Sequence, residues 1–419
     1  MHRWVKETAL GVGILAALAI PAAAAAAPAC AIPAGGPSVT LPVVTPNGQA
    51  VEADPVRNAY RVNISVGGMA AHTVEVDTGS TGIVVPWTAV PPDLWKAAAG
   101  NPTHILYTSD NEYLHGRTIQ ATVALGVPKP PAGVAAAQPY PTTGTIDLMA
   151  ADCVCKLDST DSGGGTAQPR PAGGGSACGD LNGTRSDPQV NNSPLLNSCV
   201  PVDDGMGMMG VGYARGGRSS SMNSFLRLAA MDGGAMHPGY IITQSNIQLG
   251  LTGTNTTGFA FTQLTPSAMP APSSHVKEWN EPPVTIAFQA GEPKPAPLTG
   301  SLLLDTGIAD MLLTVPTAQR PGGLVVPGSS LGQKPPVIGD VVPAGTPFTV
   351  TVTNADHAPI LSYQATMGGA PPSPTYGSWR GATATANAFN LGRHALAAAN
   401  YAYDAQCGRL GFQQVAAKK

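Results

Sequence analysis

The chain has few charged residues. Only 11% of its 419 residues are Asp, Glu, Lys or Arg, less than half the usual share of about a quarter. The formal net charge is −3, and Lys and Arg form no clusters. Nucleic-acid-binding proteins need a concentrated positive surface, so we expect no nucleic-acid partner. Low charge with 50 Gly and 41 Pro favours short strands and many turns over long surface helices.

Long apolar runs are absent beyond the N-terminus, so no later segment is predicted to span a bilayer. The N-terminus has a basic start at residues 2–6, an apolar segment at 9–20 and small residues at 22–29. This order is typical of an export signal. We predict a signal peptide over 1–27 with cleavage near Ala27; an uncleaved membrane anchor is the alternative. The mature protein is expected to be secreted or periplasmic/extracellular, without a stable membrane span.

Cysteine is scarce, and all copies follow the predicted cleavage point: Cys30, Cys153, Cys155, Cys178, Cys199 and Cys407. An even count in an exported chain predicts disulfides. The four middle cysteines would pin a Gly/Ser-rich insertion at 152–200, while Cys30 and Cys407 flank the folded body and could join its ends. A zinc site on the four middle cysteines is the alternative, which an oxidising compartment disfavours. The pairing is open.

Alternating apolar and polar residues indicate strands over most of the chain. Clear examples lie at 60–66, 118–125 and 240–251. One helix is predicted, from Ser221 to Met231, because apolar residues recur there and a serine can cap its start. The sequence therefore predicts a mainly β protein.

The tripeptide Asp-Thr-Gly occurs twice, at 77–79 and 305–307. Each copy follows an apolar run, precedes another that ends in proline, and lies downstream of a strand and a glycine turn. One such tripeptide has little specificity, but two in matching surroundings indicate a duplicated unit. We therefore predict two lobes after a lead-in segment at 28–55. The N-terminal lobe would cover 56–262, including the insertion, and the C-terminal lobe 263–419.

The duplication would bring Asp77 and Asp305 together. Two carboxylates a few ångströms apart share one proton, so one can accept a proton from water while the other donates one. Thr78 and Thr306 are short enough to hydrogen-bond across the pair, and Ser80 could orient Asp77. The glycines of the two motifs, Gly79 and Gly307, let the backbone turn closely beneath each carboxylate. The alternative is two ordinary turn aspartates.

These residues resemble the pepsin-like aspartic endopeptidases. The likeness runs in order from about residue 58 to 412 and is specific only in the doubled motif, at 77–86 and 304–307. Met208-Met209-Gly210 and Asn390-Leu391-Gly392 look like the family's apolar-apolar-Gly segments, and 391–412 resembles its C-terminal strand pair. The resemblance implies a bilobal fold with pseudo-two-fold related lobes and a central cleft. It also implies peptide-bond hydrolysis by Asp77 and Asp305, a polypeptide substrate, a monomer, and neither cofactor nor metal.

Several positions depart from the family pattern. Ile308 follows the second motif where the family has Thr, Ser or Ala, and Val84 takes the place of a tryptophan. Tyr107 is the candidate flap residue, but Thr108 follows it where the family has glycine. These departures motivate an alternative, a catalytically inactive protein of the same fold that binds a protein or saccharide in its cleft. The eight histidines are scattered and do not have the clustered spacing of metal ligands.

Overall fold

A computed structural model describes residues 30–51, 58–107, 112–129, 140–157, 178–184, 195–215, 220–269, 276–291, 294–332, 339–381 and 383–415. The predicted signal peptide, Thr108 and most of the predicted insertion lie outside these ranges. Residues 32–419 form one compact unit. Within the described part of the chain, no helix has the length and apolar character needed to cross a membrane.

Strands dominate the described residues, which confirms the predicted mainly β class. They are β1 (Val39–Pro42), β2 (Arg61–Val66), β3 (His72–Asp77), β4 (Thr81–Pro86), β5 (Pro102–Tyr107), β6 (Glu112–Ala121), β7 (Val123–Leu125), β8 (Ile146–Leu157), β9 (Leu196–Pro201), β10 (Met208–Val211), β11 (Gly239–Ile242), β12 (Asn246–Leu249), β13 (Ala260–Gln263), β14 (Pro283–Phe288), β15 (Leu298–Leu303), β16 (Met311–Thr314), β17 (Val326–Pro327), β18 (Asp340–Val341), β19 (Pro347–Thr353), β20 (Pro359–Thr366), β21 (Gly377–Arg380), β22 (Ala388–Asn390), β23 (Ala399–Asp404) and β24 (Arg409–Gln414).

Helices are short and few in the same residues. The α-helices are α1 (Pro92–Ala97) and α2 (Ala229–Asp232). Single 3-10 turns occur at Trp87–Ala89, Ala98–Gly100, Gly179–Leu181, Ser220–Met222, Thr317–Gln319, Gly328–Leu331 and Arg393–Ala397.

The predicted helix from Ser221 to Met231 is wrong over most of its length, since only its last three positions belong to α2. Asn223 is buried, and its side-chain amide donates to the carbonyl of Val211 at 2.5 Å and accepts from the backbone N–H of Phe225 at 3.0 Å. Leu228 forms a β-bridge with Thr143. These bonds satisfy the backbone in a non-helical conformation, a known competitor of helix formation.

Two nine-stranded sheets share one strand plan. The first has the order β5-β6-β8-β4-β10-β3-β2-β7, with β9 beside β8. The second has the order β17-β18-β21-β16-β22-β15-β14-β19, followed by β20. Directions also match: β10 runs parallel to β3 and antiparallel to β4, just as β22 runs parallel to β15 and antiparallel to β16. The duplicated unit predicted from the two motifs is therefore present as eight corresponding strands.

A third sheet has the order β1-β12-β11-β23-β24-β13 and combines strands from early and late in the chain. Strand β13 covers the predicted lobe boundary near residue 262, and that boundary stays a prediction. One apolar cluster extends through all three sheets, with Tyr60, Tyr240 and Tyr403 among its largest fully buried side chains. This common core fixes the positions of the loops that leave β3 and β15.

The two sheets differ at one edge. In the first sheet, β5, β6 and β8 contain 6, 10 and 12 residues. Their counterparts β17, β18 and β21 contain 2, 2 and 4 residues. The predicted insertion at 152–200 begins inside β8, so its first residues lengthen that strand. The first half therefore has a long antiparallel extension that the second half lacks.

Candidate active site

Each Asp-Thr-Gly motif forms the turn between two strands of its sheet. Asp77 ends β3, and β4 begins at Thr81. In the second half, β15 ends two residues before Asp305, and β16 follows at Met311. Valines and leucines before the aspartates, such as Val76 and Leu304, belong to the core. Strand burial therefore anchors each loop and directs its aspartate out of the sheet.

The two threonines bind each other's loops. The backbone N–H of Thr78 donates to Oγ1 of Thr306 at 3.0 Å, and the N–H of Thr306 donates to Oγ1 of Thr78 at 3.0 Å. Each hydroxyl then donates onward, Thr78 to the carbonyl of Leu304 at 2.5 Å and Thr306 to that of Val76 at 2.6 Å. Both threonines are buried. Four buried hydrogen bonds therefore hold the two aspartate loops at a fixed separation.

The two carboxyl groups lie next to each other. A Cβ added to Gly307 would lie 2.7 Å from Oδ1 of Asp77 and 3.1 Å from Oδ1 of Asp305. The two oxygens are thus within the about 6 Å at which carboxylates share a proton. A Cβ on Gly79 would overlap the Asp305 carboxylate, so only glycine fits at both positions.

Backbone donors hold one oxygen of each carboxylate in the same way. The N–H of Gly79 donates to Oδ1 of Asp77 at 2.6 Å, and the N–H of Gly307 donates to Oδ1 of Asp305 at 2.8 Å. Burial raises the pKa of Asp77 well above its ordinary value, and the charge of Asp305 and a hydrogen bond to it raise this pKa further. The pair therefore retains a proton at pH values where an ordinary aspartate is ionised.

The other oxygen of each carboxylate has a different donor. The Ser80 hydroxyl donates to Oδ2 of Asp77. Ile308, the matching residue after Asp305, has no donor. Instead, the side-chain amide of Asn390 donates to Oδ2 of Asp305 at 2.6 Å. The family resemblance therefore indicated the missing hydroxyl at Ile308 but not the asparagine amide that replaces it.

A cavity of about 690 Å³ lies over the two aspartates. Tyr107, at the end of β5, and Ile308 line this cavity together with the carboxylates. Tyr107 also packs against the small apolar cluster that contains Val84. The structure thus places the candidate flap tyrosine on the cavity wall, and Ile308 forms part of the wall without filling the cavity.

An ion pair in the cavity wall was not predicted. Arg215 pairs with Glu281, and both residues line the cavity beside the aspartates. The Arg215 Nε–H donates to the carbonyl of Tyr213 at 2.7 Å. Burial lowers the pKa of Arg215, while the carboxylates of Asp305 and Asp77 act in the opposite direction. The available signal was an arginine five residues after an apolar-apolar-Gly segment in a chain with so few charges.

The cysteines of the extension form disulfides. Cys153 pairs with Cys178, and Cys155 pairs with Cys199. The zinc interpretation of these four residues is wrong, because their sulfurs are bonded to one another. Cys30 and Cys407 are also disulfide-bonded, and a link between the chain ends stays a prediction.

Comparisons with known proteins give little further information. No protein-family model matches the chain, and no curated protein matches it. Among solved structures, the chain is similar to the crystal structure of an aspartic proteinase from Irpex lacteus. The two share 14% sequence identity, the match covers 91% of this chain and 98% of that chain, and the TM-score is 0.43. At that identity and TM-score, the similarity carries no information about activity.

Proposed function

We propose that the protein is a secreted aspartic endopeptidase that uses Asp77 and Asp305 to activate water. The observation that carries this proposal is the pairing of two buried carboxylates in matching loops at the base of an open cavity. Paired buried carboxylates share one proton, which makes them an acid and a base at the same pH.

The proposed reaction needs only these two groups and water. The ionised carboxylate takes a proton from water as the water oxygen attacks the peptide carbonyl carbon. The protonated carboxyl donates its proton to the carbonyl oxygen, which gives a neutral tetrahedral intermediate. The C–N bond then breaks as the first carboxyl passes its proton to the leaving nitrogen, and the second recovers a proton from the hydroxyl group. The threonine-linked loops would hold the carboxylates in place for both steps.

The proposed substrate is an extended polypeptide. Apolar residues dominate much of the wall, including Leu106, Ile308 and Phe389, and would accept the side chains on either side of the cleaved bond. Tyr107 would cover the substrate from the end of the β5–β6 hairpin. The reaction would use neither a cofactor nor a metal, and a monomer would suffice.

The second candidate is a catalytically inactive protein that binds a protein or saccharide in the cavity. Ile308 favours it, since an apolar residue stands where a hydroxyl would support the second aspartate. Asn390 weakens this argument because it donates to the same carboxylate.

The deciding experiment is cleavage of an unfolded protein by the mature chain between pH 3 and 7. Asp77→Asn and Asp305→Asn should each reduce the cleavage rate by about 10³-fold or more, since general acid–base groups contribute about 10²–10⁴-fold. Asp356→Asn is the control, because Asp356 lies in an exposed turn. If the wild type and the control are folded but inactive, the binding protein becomes the better account.

A further inference from the structure

The donors to Oδ2 of the two aspartates come from different places in the two halves. Ser80 lies three residues after Asp77, in the same turn. Asn390 lies on β22, 85 residues away in sequence from Asp305. The two halves therefore place this donor at different positions.

Asn390 has an unambiguous counterpart in the first half. It is paired with Leu303, two residues before Asp305, and with Leu312, seven residues after it. Met208 is paired with Glu75 and Val84, which have the same spacing from Asp77. Met208 has no donor and lies 3.9 Å from the Ser80 hydroxyl. The first half therefore has a serine in the loop and a methionine on the neighbouring strand. The second half has an isoleucine in the loop and an asparagine on the strand.

The two donors differ in chemistry. A serine hydroxyl can donate or accept, so it can accept a hydrogen bond from a protonated carboxyl. The NH₂ group of asparagine only donates, which favours an ionised carboxylate. The orientation of the Asn390 amide is fixed, because its Oδ1 accepts the backbone N–H of Gly392 at 2.9 Å. The amide NH₂ at Oδ2 of Asp305 therefore cannot accept a hydrogen bond from a protonated carboxyl. The Ser80 hydroxyl at Oδ2 of Asp77 can.

On this basis we propose that Asn390 is a positioning residue that keeps Asp305 ionised, so that Asp305 takes the proton from water and Asp77 donates to the carbonyl oxygen. This assignment rests on the proposed function for its place in the reaction. The location of the shared proton, however, is a property of the resting protein and can be measured without turnover.

Two arginines interact electrostatically with Asp305. Arg215 interacts with Asp305 from the cavity wall, where Glu281 pairs with it. Arg393 interacts with Asp305 from the turn that follows β22, and Asp310 also interacts with this arginine. Arg215 also interacts with Asp77, so the assignment rests on the two Oδ2 donors and not on these cations.

The pH dependence of kcat/KM tests the assignment. The acidic limb reports protonation of the base. Asn390→Leu removes a hydrogen bond to a charged group and should move the acidic limb upward by about one pH unit. Adding Ile308→Ser to that variant restores a donor in the loop and should move the limb back. Asn387→Leu is the matched control, because the Asn387 amide donates to the carbonyl of Thr299 at 3.0 Å and does not contact the aspartates.

A shift of the basic limb in Asn390→Leu would overturn the assignment. The assignment would also be overturned if Asn390→Leu and the control lost activity and thermal stability equally and neither variant moved the acidic limb. If Asn390→Leu does not fold, Asn390→Ser takes its place, since its hydroxyl can both donate and accept; it should give a smaller shift in the same direction.

Neutron diffraction from deuterated crystals at mildly acidic pH locates the proton directly. We expect the deuteron on Asp77 in the wild type and a larger share of it on Asp305 in Asn390→Leu. A deuteron on Asp305 in the wild type would refute the inference even if the protein cleaves peptides. A wild type that cleaves nothing but carries the deuteron on Asp77 would refute only the proposed function.

Discussion

The two halves of the molecule are alike in their backbone and different in what surrounds it. Eight strands correspond in order and direction, and the threonine bonds across the two loops are reciprocal. The donors to Oδ2 differ, as do the strands at one sheet edge. The backbone of the aspartate turns is therefore constrained by both halves together, while side-chain support can be supplied from different positions in each.

This comparison explains why Ile308 is compatible with an intact site. Oδ2 of Asp305 needs a donor because an unsatisfied buried carboxylate oxygen is costly. The donor can come from the loop or from the parallel strand beside it. Since β22 lies next to β15, a polar residue at position 390 reaches the same atom.

Breaking the reciprocal threonine bonds should have the largest effect. Thr78→Val and Thr306→Val each remove a hydroxyl that accepts one buried backbone N–H and donates to one buried carbonyl. Each should lower the free energy of unfolding by about 4 kcal/mol, since two buried partners lose their bonds. Urea unfolding measures this cost.

Thr285→Val is the matched control, because its hydroxyl is exposed and hydrogen-bonds to that of Thr299. We expect the two loop variants to be nearly equal, and the control to change little. A large inequality between Thr78→Val and Thr306→Val would show that the symmetry of the bonds does not extend to their energies.

The halves should also differ in their sensitivity to acid. His394 lies four residues after Asn390, the last residue of β22, and is fully buried. Its Nδ1–H donates to the carbonyl of Pro372 at 2.8 Å. Burial lowers the pKa of His394 to about 4 from 6.5, against a smaller opposite effect of that bond. Because β22 corresponds to β10, the matching position in the first half is Gly212, which does not titrate.

The unfolded chain takes up a proton at His394 below about pH 6.5, whereas the folded chain does so only near pH 4. Stability should therefore fall by about 3 kcal/mol as the pH decreases through this window. His394→Leu should remove that part of the pH dependence of thermal unfolding. The control is His357→Asn in an exposed turn. If His394→Leu leaves the pH dependence unchanged, His394 is not the cause of the loss of stability in acid.

The disulfides of the long sheet extension should have a smaller, local effect. Replacing Cys155 and Cys199 together with alanine should lower the free energy of unfolding by about 2–3 kcal/mol. Hydrogen exchange should increase in β8 and β9 and stay constant in β19 and β20, since only the first pair belongs to the extension. Equal increases in both regions would show that the extension is not an independent unit.

The sequence predicted the duplicated framework well. Alternation and glycine turns located β2 and β14, and the repeated tripeptide placed both aspartates in corresponding turns. The helix at 221–231 was wrong because a buried side chain, that of Asn223, satisfies the backbone there. Local propensity does not include such tertiary hydrogen bonds.

The support of Asp305 could not be predicted from local sequence. Asn390 occupies a position where the resemblance led us to expect an apolar residue, and a single polar residue there had no assigned partner. Its contact depends on the register between β22 and β15, which links residues far apart in the chain. The Arg215–Glu281 pair likewise joins distant segments. Motifs located the carboxylates, and only the tertiary structure located the groups around them.

The most direct test of catalysis by the two aspartates is the affinity of a peptide whose scissile carbonyl is replaced by a hydroxyl-bearing tetrahedral carbon. Calorimetry would compare it with the uncleaved parent peptide, both measured on wild type and Asp77→Asn. We expect at least about 10²-fold tighter binding of the tetrahedral peptide to the wild type, because an enzyme binds its transition state more tightly than its substrate. That preference should disappear in Asp77→Asn. Equal affinity for both peptides, unchanged by the substitution, would contradict catalysis and identify the cavity as a binding site.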